Sequence, residues 1–346
     1  MKAVFITGHG GNEVVEVRTC DRPQRKPGEV LVRLKAATLN QVDLYMRDNG
    51  TGITHQLPQI MGVDGAGVVE EVADSERRLM PGQPVVLFPG ITCGRCEFCQ
   101  RGENVLCVEL QFLGEHRNGT FAQWISLPVN NVLPIPERLN FAEAAAMGVN
   151  YLTAWRMLFT KAKIQPWETV LVFGIGGGVS LAAMQLARSI GAEVLVTSRD
   201  DTKLERALEL GASHAINGTT EDVAKSVLEY TKGRGVDVVI ENIGEAVWRS
   251  AMKSLVRGGR LVTCGATSGG QPSADLQRLF VRQIQIFGST GGTYSEFRDL
   301  LSFVASREIS PVIDSRFSMD QIHQALNRLE SDEKMGKIVL DIDVRA

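Results

Sequence analysis

The chain has 346 residues, 44% of them hydrophobic and 22% charged, with a formal net charge of -3. A mixed and slightly acidic balance lacks the basic footprint that nucleic acid or an anionic membrane surface demands, so a small-molecule partner is expected, with no nucleic acid and no membrane. The length exceeds what one hydrophobic core usually supports, which predicts two domains.

The N-terminal stretch MKAVFITGHGGNEVVEVR starts directly on a strand-like run, with no long apolar core or cleavage site. Neither a secretion signal nor a membrane span is indicated, and a cytoplasmic location is expected. From Val4 to Thr92, short runs such as EVLVRLKAA, GAGVVEEV and QPVVLF are separated by Gly and Pro turns, which predicts a β-rich unit. One segment breaks the pattern. From Gln41 to Arg47, Val42, Tyr45 and Met46 fall at helical spacing, so a short helix entering a cleft is predicted, with Asp43 pairing Arg47 or orienting a backbone amide.

Cys93, Cys96, Cys99 and Cys107 follow as C-x2-C-x2-C-x7-C, with Gly94 and Gly102 supplying tight turns. Four soft thiolates in so short a loop suit one tetrahedral zinc ion better than a disulfide framework. With its sphere closed, such a zinc would stabilise the loop and leave no position for substrate. Cys20 and Cys264 stand alone.

After Pro136 the run AEAAAMGVNYLTAWRMLF predicts a long amphipathic helix leading into the second domain. There the rhythm becomes strand, turn, helix: TVLVF, LAAMQLARSI, EVLVT, KLERALELG, then VDVVIENIG, GRLVTCGA and IQIFGST. Continuously apolar strands alternating with helices predict a doubly wound parallel sheet, an α/β domain of the Rossmann type. The strand GKIVLDI near the end is expected to return to the first domain, giving 1-150 with 291-346 and 151-290 as the two domains.

GIGGGV at Gly174 to Val179 stands at the first strand-to-helix junction of that sheet. Gly174, Gly176, Gly177 and Gly178 let the backbone approach a pyrophosphate, and the helix N-terminus beginning near Val179 adds unpaired N–H groups. Where the second strand ends, an Asp or Glu would hold a free ribose 2′-hydroxyl; Ser198 and Arg199 stand there instead, with Lys203 one turn on. These donors suit a 2′-phosphate, so NADP(H) is expected over NAD(H), the alternative being that Asp200 or Asp201 takes the ribose. Further cofactor contacts are expected beyond the carboxyl ends of later strands, at Asn242, Ile243, Gly265, Ala266, Ser289 and Thr290, with Thr153 and Lys337 reaching phosphate or ribose.

Together these features resemble the medium-chain dehydrogenase/reductase superfamily over essentially the whole chain. The resemblance implies a GroES-like catalytic domain carrying one structural Zn2+ at about 90-110, beside the Rossmann domain. Zinc-dependent alcohol dehydrogenases of that superfamily hold a catalytic zinc by a Cys, a His, and a Cys or Asp at places matched here by Asn40, Val63 and Val149 (or Asn150), and Asp64 alone cannot hold it. The segment Asn40, Val42, Asp43, Tyr45 and Arg47, with NYLTAW, is similar instead to quinone oxidoreductase-like and enoyl reductase members, which transfer hydride without metal. The four-cysteine lobe, which quinone reductases of that branch commonly lack, is a departure.

The resemblance implies NADPH-dependent reduction of an activated double bond or a quinone. Asn40 and Tyr45 would act as donors to the developing oxyanion, and Tyr45, His55 or water as the proton source. A zinc-type alcohol dehydrogenase and a non-catalytic NADPH-binding protein are the rival expectations. The apolar edge near RQIQIFGS suggests a homodimer, or a tetramer, through sheet-edge association.

Overall fold

The computed structural model describes every residue except 54, 74 and 343–346. The chain forms two units, Met1–Leu152 with Gly292–Ala346, and Thr153–Gly291.

In the first unit the long strand Glu29–Thr38 is the organiser, because ten residues let it pair with three partners along its length. It runs antiparallel to Asp64–Glu71, to Trp124–Pro128 and to the return strand Lys337–Asp341. The sheet continues through Pro84–Leu87 and Val132–Pro134 on one side and Ile313–Ser318 on the other. Val30, Val32, Leu34, Val85, Leu87, Leu127 and Leu340 are each 0% exposed and form its core. A smaller sheet joins Lys2–Ile6 to Val15–Thr19 and Gln59–Ile60.

The second unit is a six-stranded sheet in the order His214–Asn217, Glu193–Ser198, Thr169–Val172, Val236–Glu241, Leu255–Thr263 and Gln285–Gly288. Every neighbouring pair is parallel, the doubly wound arrangement expected of continuously apolar strands. Residues 169–172 and 236–241 are buried throughout, which a sheet covered on both faces requires.

The helix expected after Pro136 is interrupted. Phe141–Ala146 is α-helical, Met147–Tyr151 is a π-type turn broken at Gly148, and Leu152–Trp155 resumes the helix. The cause lies in packing: a Cβ on Gly148 would stand 2.0 Å from Asp64 Oδ1, so the chain can pass that carboxylate only as bare backbone.

Candidate functional site

Asp64 is the centre of a buried polar cluster in the first unit, assembled by strand register. One ladder sets Thr38 opposite Asp64, and the other sets Thr38 opposite Val339, so that Lys337 lies beyond the ladder's end beside Asn40. Asp64 is 0% exposed and Lys337 3%. Asp64 Oδ2 accepts from Thr38 Oγ1 at 2.9 Å, Asn40 Nδ2 at 2.9 Å and Lys337 Nζ at 3.3 Å. The broken helix completes the set: the Val149 amide donates to Asp64 Oδ1 at 2.7 Å. Lys337 Nζ donates also to Asn40 Oδ1 and Asn150 Oδ1, each at 2.7 Å, and to the Leu39 carbonyl at 3.1 Å.

Four oxygens around one nitrogen leave no place for an amine lone pair, so the geometry calls for the protonated ammonium. Burial pulls the Lys337 amine down from its usual range, and Asp64 draws it back up. Two expectations are corrected here. Asn40 is 4% exposed and spends both Nδ2 hydrogens on Asp64 and, at 3.2 Å, on the Thr38 carbonyl, so it has no donor left for a substrate oxygen. Lys337 has its three hydrogens among buried oxygens and none for a phosphate or ribose.

The short helix is Gln41–Asp48, with Asn40 as its N-cap. Asp43 Oδ2 accepts the Asn40 backbone N–H at 2.7 Å, which binds the carboxylate to the first turn. Arg47 turns away from it, pairing with Asp48 and Glu330 at 2.6 Å. Asp43 is thus the amide-orienting residue and not the partner of Arg47. Burial, aided by neighbouring Asp64, pushes its carboxyl up to about 7. Burial does the same for Glu115, also to about 7.

Tyr45 is half-buried, and its hydroxyl has no hydrogen-bond partner among the described residues. Burial raises its pKa, so it remains a donor at neutral pH. His55 Nδ1 lies 3.0 Å from the Ile53 carbonyl, which fixes a proton on that nitrogen. Its Nε2 is buried with no partner among the described residues. His9, which sequence reasoning passed over, stands edge-on to His55 at 5.3 Å. A Cβ on Gly50 (φ +69) would stand 2.9 Å from His9 Cε1 and 3.1 Å from His55 Cε1, and no local motif marks the pair.

In the second unit the glycine turn follows the strand Thr169–Val172 and opens the helix Gly178–Ser189. Gly174 (φ +67) and Gly176 (φ +118) occupy the left-handed region, where a Cβ is disfavoured. The N-cap is Gly177, with no side chain closing the helix end, and Gly178 and Val179 form its first turn. Ser180 Oγ donates to the Phe173 carbonyl at 2.8 Å and accepts from Asn242 Nδ2 at 3.3 Å, tying helix to strand. A Cβ on Gly174 would meet Ile243, and one on Gly265 would stand 2.7 Å from the Asn242 carbonyl, with Ala266 just beyond. Ser289 Oγ is buried without a partner among the described residues, an unsatisfied group of the kind a bound ligand would complete, and Thr290 beside it is exposed. Thr153 is 5% exposed.

The end of the second strand is laced to this turn, since Gly174 N donates to Thr197 Oγ1 at 3.2 Å and Ile175 N to the Thr197 carbonyl at 2.8 Å. Ser198 and Arg199 therefore follow directly beside it, with Arg199 exposed. Asp200 caps the next helix, accepting from Thr202 N at 2.9 Å, and the Thr202 hydroxyl holds its carboxyl below the usual range. Asp201 accepts from Asn217 Nδ2 at 2.6 Å. Lys203 lies in the first turn of that helix. The residues fit a nucleotide: a side-chain-free helix start for the pyrophosphate and a basic pair beyond it.

Sγ atoms of Cys93, Cys96, Cys99 and Cys107 lie within 4.8 Å of one another. Gly94 (φ +70) and Gly102 (φ +81) make the left-handed turns that aim them. Backbone amides of Cys93 and Glu109 donate to Cys107 Sγ at 3.3 and 3.4 Å. This donor set fits a zinc ion with a closed sphere. The places matched to a catalytic zinc site do not: Asn40 is engaged by Lys337 and Asp64, Val63 is an apolar residue 1% exposed, and Val149 contributes a backbone amide.

Residues 26–137 match the alcohol dehydrogenase GroES-like domain family and residues 178–306 the zinc-binding dehydrogenase family. A zinc-type alcohol dehydrogenase-like protein of Schizosaccharomyces pombe is 36% identical over 332 residues, 93% of each chain. The quinone oxidoreductase of Rattus norvegicus is 28% identical over 98% of this chain and 97% of its own. A crystal structure of an NAD-dependent alcohol dehydrogenase superposes with a TM-score of 0.95 at 40% identity, covering 99% of this chain and 100% of the other.

Proposed function

The chain belongs to the medium-chain dehydrogenase/reductase superfamily and is an oxidoreductase of that type, and from this premise we propose that it reduces an activated double bond or a quinone with NADPH, using no catalytic zinc. The observation that carries the reading is the Lys337 ammonium, seated among Asn40, Asp64 and Asn150 where a zinc enzyme would need thiolate and imidazole. A plain carbonyl deprived of a Lewis acid loses several kcal/mol of alkoxide stabilisation, whereas a conjugated acceptor spreads the charge onto an oxygen that hydrogen bonds can satisfy.

Bound nicotinamide would supply the hydride. The turn at Gly174–Val179 would receive the pyrophosphate, and Ser198, Arg199 and Lys203 the 2′-phosphate. Asp200 is occupied in capping the next helix and Asp201 accepts from Asn217 Nδ2, while Ser198, Arg199 and Lys203 offer the donors a phosphate requires, which favours NADPH over NADH. Tyr45 O–H donates to the developing enolate or hydroquinone oxygen. His55, with Nδ1–H held by Ile53, leaves Nε2 as the ring atom through which a proton would pass. Asn40 acts behind them by fixing the start of the short helix.

A zinc-type alcohol dehydrogenase is the second reading, favoured by the name of the fission-yeast relative. One experiment separates the two: NADPH and NADH oxidation against quinones, enones, enoyl thioesters and plain aldehydes, with zinc counted per chain. The expected result is one zinc and NADPH-dependent turnover of conjugated acceptors that survives mild chelation. A second zinc whose removal abolishes aldehyde turnover would overturn the proposal, and nucleotide binding with no turnover at all would make the protein a binder.

Leu276 (63% exposed), Phe280 (70%) and Val281 (50%) lie next to the edge strand Gln285–Gly288, which among the described residues pairs on one side only. A second copy covering this row would remove an apolar edge from water, so a homodimer is proposed, with Phe280→Glu expected to yield monomers in sedimentation. No helix among the described residues is long and apolar enough to cross a membrane. Reduced thiols for zinc suit the cytoplasm.

A further inference from the structure

Lys337 is peculiar in its surroundings: a flexible side chain that normally keeps its charge in water is here buried completely, with four oxygens around Nζ. Those oxygens come from a strand end, a helix cap, the facing strand and the broken helix. Only Asp64 among them carries a formal charge at hydrogen-bond distance, and the others are a backbone carbonyl and two side-chain amides whose oxygens face the nitrogen. Two carbonyl-type amides, a main-chain carbonyl and one carboxylate make a donor set for a hard cation, and no thiolate or imidazole belongs to it.

We propose that Leu39, Asn40, Asp64 and Asn150 form an internal cation site whose occupant is the tethered primary ammonium of Lys337, and that this ammonium is a positioning residue acting through Asn40, the cap of the helix Gln41–Asp48 that carries Tyr45. Its role in turnover rests on the reductase reading, while its role as a bound cation does not. Burying one carboxylate is tolerated because the ammonium neutralises it, and the amide of Val149 and side chain of Asn150 are drawn in by the same pair. Removing the tether but keeping the oxygens should leave a cavity selective for a small primary ammonium ion over a bulky quaternary one, because only the former can donate three hydrogen bonds.

The test is Lys337→Ala in the zinc-loaded full chain, with thermal midpoint and NADPH-dependent enone reduction measured in n-propylammonium or tetramethylammonium chloride at equal ionic strength. The midpoint is expected to fall by on the order of 10 °C, since an unpaired buried carboxylate remains. Propylammonium, matching the deleted atoms, is expected to restore most of that loss and most of the lost turnover, and tetramethylammonium neither. Equal behaviour in the two salts would overturn the proposal. Should the alanine variant not fold, Asp64→Asn with Lys337→Met removes both charges at similar volume: a folded protein with kcat lowered about tenfold or more and unchanged NADPH affinity is expected. Parent-like kcat in that double variant would overturn the positioning role. Midpoint rescue is read without turnover, so a parent that reduces no enone would sink the reductase reading alone.

Discussion

Gly148→Ala tests the cluster at its tightest contact. The new Cβ would stand 2.0 Å from Asp64 Oδ1 and 2.7 Å from its Cγ, well inside any tolerated separation, and Asp64 itself is 0% exposed and cannot swing into solvent. The backbone at residue 148 must therefore retreat by about 1 Å or more, and the Val149 amide, now 2.7 Å from the same oxygen, is drawn away with it. Losing a hydrogen bond to a buried charge costs about 1.5–3 kcal/mol, and overpacking adds about 1–3 kcal/mol. The sum is about 2.5–6 kcal/mol, or on the order of 10 °C in the midpoint of a unit this size. The glycine turn that would hold the nucleotide lies in the other unit. NADPH affinity by fluorescence titration should thus stay within about twofold while turnover falls with the midpoint. A variant with the parent's midpoint and turnover would refute the steric account of the helix break.

Arg199→Ala with Lys203→Ala should weaken NADPH binding about ten- to a hundredfold in a titration and leave NADH nearly unchanged, as expected for lost charge-assisted bonds to a phosphate; equal losses for both nucleotides would point to a general folding defect. Asp43→Asn probes a carboxyl raised from 3.8 to about 7 chiefly by burial. A raised acid stabilises the fold fully below its unfolded value and loses that contribution as pH rises to its folded value. The parent should therefore weaken relative to the variant between about pH 4 and 7 by up to a few kcal/mol and run parallel to it above, whereas a constant difference from pH 4 to 8 would contradict the buried-acid assignment. Cys96→Ser should abolish zinc binding by elemental analysis and expose the loop 93–107 to protease, because the metal supplies that loop's cohesion; retention of one zinc per chain would show that its ligands lie elsewhere.

What the sequence displays and what it hides differ in range. The doubly wound sheet was legible because its signals are local: apolar runs such as TVLV, and glycines 174 and 176 at positions whose φ of +67 and +118 suits no other residue well. The cysteine loop is local in the same sense, four ligands within one turn-rich stretch. The polar cluster is not. Asn40 could be seen as a helix cap and an available amide, but that both its hydrogens go to Thr38 and Asp64 depends on two antiparallel registers set by residues far along the chain. Lys337 lies 273 residues from Asp64, and GKIVL carries no mark that its cation is internal. The helix break could not be read either, because AEAAAMGVNYLTAW has strong helical periodicity and yields only to a carboxylate pressing on Gly148 from another strand. Such a conflict between local propensity and tertiary demand is expected where a site is being built. Here it delivers a backbone amide and an asparagine oxygen to the same buried ion pair.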